Sequence, residues 1–229
     1  MQTDIEVEVP VYKMPLLGED APSFSAQTTQ GQIDFPNDFK GKWVVLFSHP
    51  ADFTPVCTSE ISAFGAMQAE FEELNAKLIG LSVDSQTSHL AWLKNIRDRI
   101  RFGAYNGQPI EFPIIADLKM EVARKFGMIQ PGASDTKAVR AVFIIDPHGK
   151  IRTILYYPMS TGRNLAEIKR ILQALQVTDK YGVSTPVNWK PGESVLMSAP
   201  SDMQELTQRI EKAPDDIRCQ EWFFCTKSL

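Results

Sequence analysis

Apolar positions along the chain alternate between two kinds of spacing. The apolar run 43–47 predicts a buried strand at 43–48, and the largely apolar segment 77–83 predicts a second strand. Between them, residues 59–75 repeat apolar side chains at helical spacing. The same alternation continues downstream. It predicts helices at 87–99, 119–126, 165–175 and 201–211, and strands at 112–117, 138–146 and 151–157.

The order of these elements indicates the fold class. Strands that alternate with helices predict an α/β layered sheet. The last two strands are joined by the turn Pro147-His148-Gly149-Lys150, so they form a hairpin and make one part of the sheet antiparallel. Further along, periodicity fades and prolines punctuate the chain. We therefore predict a first domain at 1–177 and a C-terminal arm or small domain at 178–229.

Composition and charge narrow the class of protein. The 229 residues, 43% of them hydrophobic, suffice for one sizeable core. A net charge of −4 is unlike the basic footprint of a nucleic-acid-binding protein. No apolar run reaches the roughly 18 residues of a membrane helix, and the acidic start Met1–Glu6 lacks the apolar segment of a secretory signal. We expect a cytoplasmic protein without nucleic-acid or membrane partners.

The first cysteine, Cys57, follows a helix-start signal. Thr54 and Pro55 are residue types favoured at the N-cap and at the first position of a helix. This start places Cys57 in the first turn, where free N–H groups and the helix dipole stabilise an anion and favour a reactive thiolate. On these residues alone, an inert cysteine packed in the core is the other interpretation.

Two arginines are of interest as partners for such an anion. Arg140 interrupts the otherwise apolar run 138–145 within the strand predicted at 138–146, and an unpaired buried charge is costly. Its partner is therefore either an ordinary acidic side chain or the thiolate of Cys57. Arg163 follows Ser160-Thr161-Gly162 and, taken alone, indicates a surface charge.

His49 allows three interpretations: a general base, a metal ligand or a structural hydrogen-bond donor. A zinc site needs further Cys or His at close spacing, whereas the chain has three histidines and no C-x-x-C pair. We therefore expect no metal and no other cofactor. The stretch Cys57-Thr58-Ser59-Glu60 also lacks the second cysteine of a thioredoxin-like disulfide reductase.

The octapeptide at 50–57, Pro50-Ala51-Asp52-Phe53-Thr54-Pro55-Val56-Cys57, resembles the P-x-x-x-T-x-x-C motif of peroxiredoxins. The likeness runs from about Leu16 to the C-terminus, and within the family it is strongest to the one-Cys subfamily, especially its archaeal thioredoxin peroxidases. The resemblance implies a thioredoxin-like fold, with a central mixed β-sheet flanked by helices and a C-terminal extension arm. It also implies a homodimer, often within a decamer of five dimers. Four further segments match in the same order: Ser48-His49, 81–85, 112–117 and 139–146, followed by Tyr156-Tyr157-Pro158.

The resemblance further implies a catalytic site. Cys57 would be the peroxidatic cysteine that attacks a hydroperoxide. Thr54 and Arg140 would bond the thiolate and the peroxide oxygens, while Pro50 would shield the site from water. Two more residues would complete the substrate-binding pocket: His49 and Arg163.

The tail carries the other expectation. By resemblance, Cys225 would be the resolving cysteine for Cys57 of the partner chain, with Cys219 assisting, and thioredoxin or a similar dithiol would reduce the resulting disulfide. Three alternatives stay open. The aromatic tail Trp222-Phe223-Phe224 simply anchors the arm, Cys219 and Cys225 pair with each other, or the protein is a redox-controlled, ring-forming chaperone or scaffold.

Overall fold

The computed structural model describes residues 13–211 and 216–229. The chain divides into two compact units, the first ending at Arg163 and the second beginning at Asn164. The domain boundary between 177 and 178 stays a prediction. The acidic start Met1–Glu6, on which the expected absence of a secretory signal depends, lies outside the described residues.

A seven-stranded sheet forms the centre of the first unit. Its strands are β1 (Phe24–Thr28), β2 (Gly31–Phe35), β3 (Trp43–Ser48), β4 (Ala76–Ser82), β5 (Ile114–Ala116), β6 (Arg140–Ile145) and β7 (Ile151–Tyr157). They lie in the order β2-β1-β5-β4-β3-β6-β7. The pairs β3–β4 and β4–β5 are parallel and the other pairs are antiparallel, which confirms the predicted mixed sheet.

Helices accompany this sheet as predicted. They are α1 (Pro55–Glu73), α2 (Gln86–Arg99) and α3 (Glu121–Lys125), with a short 3-10 helix at Asn37–Phe39. No helix in the described part of the chain is long and apolar enough to cross a membrane.

Strand β3 is buried on both of its faces, which explains its unbroken apolar sequence. On one face Leu46 packs in a core cluster with Leu81 and Phe143. On the other face the ring of Phe47 stacks on Phe64 of α1, with 3.9 Å between the ring centroids. Strand β3 is therefore packed against α1, the helix that begins at Pro55 shortly after β3 ends.

Helix α1 begins earlier than its apolar periodicity alone predicts. The apolar spacing starts at residue 59, whereas the helix starts at Pro55 with Thr54 as the N-cap residue. The Thr54-Pro55 start signal is thus confirmed. The periodicity misses the first turn because only a side chain that faces the core contributes to an apolar repeat, and the first turn carries few of them.

The hairpin of β1 and β2 is absent from the sequence prediction. Burial alternates along both strands, with Phe24, Ala26 and Thr28 inward in β1 and Ile33 and Phe35 inward in β2. Each strand has only five residues and few large apolar side chains, so its sequence gives a weak strand signal. The two strands are held by Phe24 and Phe35, which occupy paired positions and stack with 5.1 Å between ring centroids.

The second unit contains helices α4 (Leu165–Tyr181) and α5 (Met203–Glu211) and a small sheet. Its strands β8 (Val195–Leu196), β9 (Ile217–Glu221) and β10 (Phe224–Lys227) lie in the order β8-β10-β9. Helix α4 runs past its predicted end at residue 175, because Gly182 is the first residue to take the left-handed conformation that ends a helix. A local core forms from Ala174, Val183, Trp189 and Val195.

Candidate active site

Cys57 is the third residue of α1, and its side chain is fully buried with a free thiol. The N-cap residue Thr54 makes no side-chain bond to the helix. Its Oγ1 instead donates to the carbonyl of Ala51 at 2.9 Å. The first-turn N–H groups are therefore not used by the cap side chain and can stabilise an anion at this end of the helix.

Arg140 reaches Cys57 from strand β6. Its Nη1 donates to Cys57 Sγ at 3.3 Å and to Glu60 Oε2 at 2.7 Å. Its Nε and Nη2 both donate to the carbonyl of Met159, at 2.8 and 2.6 Å, which fixes the plane of the guanidinium. Both partners considered for Arg140, an acidic side chain and the cysteine, are thus present together.

Arg163 is buried, and the expectation of a surface charge is wrong. Its Nε and Nη2 form a two-point contact with the Glu60 carboxylate, at 2.9 and 2.7 Å, and its backbone N–H donates to the same group at 2.9 Å. Its Nη1 donates to the carbonyls of Ser48 and Ala141, which lie on β3 and β6. The local sequence misleads at this residue because its partners are distant along the chain.

Glu60, one helical turn after Cys57, is a site residue that the sequence prediction does not include. Burial on its own raises the pKa of the Glu60 carboxyl, but the positive charges of Arg163 and Arg140 outweigh it and hold that pKa below the ordinary value of 4.5. Only an indirect signal in the sequence points to Glu60 as a site residue. Arg140 requires an acidic partner, and Glu60 lies on the same helix as Cys57.

The charges of this buried group do not cancel without the cysteine. Arg140 and Arg163 carry two positive charges and Glu60 carries one negative charge, and all three side chains are at most 3% exposed. Uncompensated charge is costly in a site that excludes water. A negative charge at the position of Cys57 Sγ, 3.3 Å from Arg140 Nη1, would complete the balance.

His49 takes part in a second buried network beside this group. Its Nε2 lies 3.0 Å from Asp52 Oδ1, and the other carboxylate oxygen of Asp52 lies 2.8 Å from His89 Nδ1 and accepts from Ser88 Oγ at 2.8 Å. Burial lowers the pKa of His49. Burial raises the pKa of Asp52, but the hydrogen bonds from His49 and His89 outweigh it and bring that pKa well below its ordinary value.

The ligand atoms of His49, Asp52 and His89 lie within 4.8 Å of one another, as the atoms of a metal site do. Both Asp52 oxygens are already engaged in hydrogen bonds. We therefore interpret the network as structural. It holds the loop that carries the buried Pro50 and leads to Thr54. Among the buried side-chain atoms of this network, all of them in the described part of the chain, only Nδ1 of His49 lacks a hydrogen-bond partner.

In the second unit, the two tail cysteines form a disulfide with each other. Cys219 on β9 and Cys225 on β10 occupy directly paired positions in the hairpin. The pairing considered from their spacing is thus present, while Cys57 remains a free thiol. The structure therefore brings Arg140 to Cys57 and links Arg163 to Arg140 through Glu60. The segment that leads into α1 carries His49, Pro50 and Thr54. Cys219 is joined to Cys225.

Replacing Glu60 by Gln is expected to lower the free energy of unfolding by about 3 kcal/mol, because it leaves two buried guanidinium groups short of a counter-charge. Chemical unfolding at fixed protein concentration measures the effect. The matched control is Glu72→Gln on the same helix. Glu72 forms an exposed pair with Lys77, and its loss should cost less than about 1 kcal/mol. Equal losses for the two variants would contradict the charge balance described above.

Acid is expected to destabilise the protein in two stages. The folded-state pKa of His49 lies below its ordinary value of 6.5, so as the pH falls below 6.5 the unfolded chain binds a proton that the folded chain resists, and stability declines. Glu60 adds a second decline below its ordinary value of 4.5, since its stabilisation disappears as the carboxylate is protonated.

Unfolding midpoints measured across this pH range test the first stage. The His49→Gln variant should lose the decline between about pH 7 and about pH 5. The exposed His148 provides the control, and His148→Gln should keep the decline. If both variants keep the same decline in stability with falling pH, His49 is not the source of that decline.

In the comparison with known proteins, two segments of the chain match family models of peroxiredoxin type. Residues 17–154 match the AhpC/TSA family, and residues 174–213 match the C-terminal domain of 1-Cys peroxiredoxin. A peroxiredoxin of Methanosarcina mazei is 60% identical over 93% of this chain and 98% of its own length. A peroxiredoxin of Aquifex aeolicus is 47% identical over 96% of this chain and 99% of its own length.

Solved structures agree on the fold. A yeast mitochondrial 1-Cys peroxiredoxin superimposes with a TM-score of 0.82 at 39% identity, covering 94% of this chain and 100% of that one. A cysteine-to-serine mutant of peroxiredoxin 6 from Arenicola marina has a TM-score of 0.80 at 32% identity, covering 93% and 98%. The expected thioredoxin-like fold with a C-terminal extension is thereby confirmed.

A buried cysteine at a helix start, with an arginine against its sulfur on a thioredoxin-like sheet, defines a thiol-dependent oxidoreductase. The family comparison makes this class specific. The chain belongs to the peroxiredoxins, which are thiol peroxidases, and its C-terminal part matches the 1-Cys type. The resemblance seen in the motif at 50–57 is confirmed, as is the expectation of an enzyme.

Proposed function

We propose that this enzyme reduces hydrogen peroxide and organic hydroperoxides through a sulfenic acid on Cys57. The single observation that carries the proposal is the charge balance around the sulfur. Arg140 and Arg163 carry two positive charges against the single negative charge of Glu60, which leaves a net charge of +1. Arg140 Nη1 lies 3.3 Å from Cys57 Sγ. A thiolate is the nucleophilic form of cysteine.

In the proposed reaction, the Cys57 thiolate attacks the terminal oxygen of the hydroperoxide. The O–O bond breaks, the sulfur gains an –OH group, and the leaving alkoxide takes up a proton to become an alcohol or water. Arg140 and the first-turn N–H groups stabilise the charge that moves onto the leaving oxygen. The Thr54 hydroxyl retains acceptor capacity for the peroxide proton, since its own hydrogen is donated to Ala51.

The surrounding residues would serve this step without reacting. The buried Pro50 keeps water from the sulfur, and His49 holds the preceding loop through Asp52. Arg163 positions Arg140 indirectly, because both bind the same carboxylate oxygen of Glu60.

The second half of the cycle would use the tail. The sulfenic acid condenses with the Cys225 thiol of the partner chain, releases water and forms a disulfide. Cys219 then displaces Cys57 from Cys225 and restores its thiolate. The disulfide between Cys219 and Cys225, with Cys57 free, supports this order because it matches the state that the exchange leaves behind. Thioredoxin or a similar dithiol would return both tail cysteines to thiols.

Trapping the sulfenic acid tests the peroxidatic step. In a variant with both tail cysteines changed to serine, one equivalent of hydrogen peroxide followed by dimedone should label Cys57, as mapped by peptide mass spectrometry. The same variant with Cys57→Ser should take up no label. Absence of label on Cys57 in the first variant, while peroxide is consumed, would refute the proposed intermediate.

Replacing Cys225 by Ser is expected to lower steady-state turnover with thioredoxin by about tenfold or more, because the variant lacks the thiol that condenses with the sulfenic acid and passes the disulfide to Cys219. The first turnover should be unaffected. A coupled thioredoxin assay measures the former and rapid mixing the latter. Steady-state turnover at the wild-type rate would show that Cys225 is not the resolving residue.

The alternative function is a redox-controlled chaperone or scaffold, and it predicts a different result when Cys57 is oxidised. It requires a change of assembly with oxidation, measurable by light scattering, but no catalytic consumption of peroxide. The homodimer or decamer of five dimers and the cytoplasmic location remain predictions from the sequence.

A further inference from the structure

The two sulfur atoms of the tail disulfide are not equally accessible. Cys219 is exposed, whereas Cys225 is 1% exposed. A disulfide is reduced by a thiolate that attacks one of its two sulfurs, and access decides which one. The difference in exposure therefore affects which of the two sulfurs the reductant attacks.

The sheet order explains the difference in exposure. Strand β10, which carries Cys225, is the middle strand and pairs with β8 on one side and β9 on the other. The carbonyl of Cys225 accepts a hydrogen bond from Met197 N at 3.0 Å. Strand β9, which carries Cys219, lies at the edge, and all its positions after Ile217 are exposed.

Backbone carbonyls also crowd the inner sulfur. Cys225 Sγ lies 3.4 Å from the carbonyl oxygen of Glu221 and 3.7 Å from that of Trp222. Their partial negative charges repel an approaching thiolate. Once the bond is broken and the sulfur is protonated, the same oxygens can accept its S–H.

We infer that Cys219 is the entry point for electrons: the reductant attacks Cys219, and Cys225 is the leaving sulfur. The inference rests on the proposed thiol cycle and gives Cys219 a defined catalytic role in it. The reductant is a dithiol whose attacking thiolate approaches the exposed edge strand β9.

Atoms and electrons balance in this step. The reductant thiolate forms a bond to Cys219 Sγ, and the bond between Cys219 and Cys225 breaks. Cys225 leaves with the electron pair and takes up a proton. The second thiol of the reductant then attacks the mixed disulfide on the reductant's own sulfur and releases Cys219 as a thiolate. The reductant is oxidised by two electrons, and the tail disulfide is reduced to two thiols.

Mapping of the first adduct tests the inference in the full chain. The Cys57→Ser variant, isolated with its tail disulfide formed, is mixed with a thioredoxin whose second active-site cysteine is serine. In parallel it is mixed with glutathione. Both reactions are quenched with N-ethylmaleimide at early times and digested. Peptide mass spectrometry should find the adduct on Cys219 at least about tenfold more often than on Cys225.

An adduct mainly on Cys225, equal amounts on both cysteines, or no adduct from either thiol would overturn the inference. Because this variant lacks Cys57, the result does not depend on peroxide reduction. Labelling of Cys57 by dimedone decides the proposed function separately, so either conclusion can fail while the other stands.

Discussion

Peroxide consumption is expected to fall by about 10⁴-fold or more when Cys57 is replaced by Ser, to the level of the uncatalysed reaction. The serine hydroxyl is a far weaker nucleophile than a thiolate, and it leaves the excess positive charge of Arg140 and Arg163 without a counter-charge. The measurement is hydrogen peroxide loss with a dithiol reductant, followed in a continuous assay.

The control for this result is Cys225→Ser, which should keep the first turnover at the wild-type rate because the tail cysteine acts only after the sulfenic acid forms. Circular dichroism and the melting temperature establish that the Cys57→Ser chain is folded. Unchanged peroxide consumption in folded Cys57→Ser would end the peroxidase assignment of this residue.

Replacing Arg140 by Lys is expected to lower the second-order rate constant for peroxide by about 100-fold. Arg140 uses three nitrogens at once, two toward Met159 O and one toward Cys57 and Glu60. A lysine keeps the positive charge but offers a single nitrogen, so it cannot hold this geometry. The loss therefore reports the positioned hydrogen bond and not the charge alone. Single-turnover rapid mixing, followed by tryptophan fluorescence, measures the rate.

Arg152→Lys is the matched control, since Arg152 lies on the neighbouring strand β7 and pairs with Asp146. It should react within about twofold of the wild-type rate, as expected for a partly exposed residue outside the site. A rate for Arg140→Lys that is equally close to wild type would show that charge alone is sufficient. The measured melting temperatures separate a change in rate from a loss of folded protein.

Much of the first unit follows from patterns within single segments. The strand at Trp43–Ser48 is recognisable because burial on both faces demands an unbroken apolar run. The start of α1 is recognisable because Thr54 and Pro55 favour a helix N-terminus for reasons local to the backbone. These local preferences are sufficient to place Cys57 in the first turn of its helix, where the structure has it.

Short strands with little burial do not follow from such patterns. The strands Phe24–Thr28 and Gly31–Phe35 alternate in burial but have only five residues each. The tail strands Ile217–Glu221 and Phe224–Lys227 carry no clean alternation. Their pairing is decided by contacts across strands and not by the preference of either strand alone. For this reason a sequence pattern shows where such strands are possible but not that they form.

The sequence by itself determined the α/β class, the helix start that presents Cys57, the need of Arg140 for an anion, and the peroxiredoxin motif. Each of these depends on neighbouring residues or on the cost of burying one charge. Tertiary structure alone decided that Glu60 sits between Arg140 and Arg163. It alone decided that Cys219 is exposed while its partner is buried. Charge balance and access are properties of groups that folding brings together from distant parts of the chain, and local sequence does not encode them.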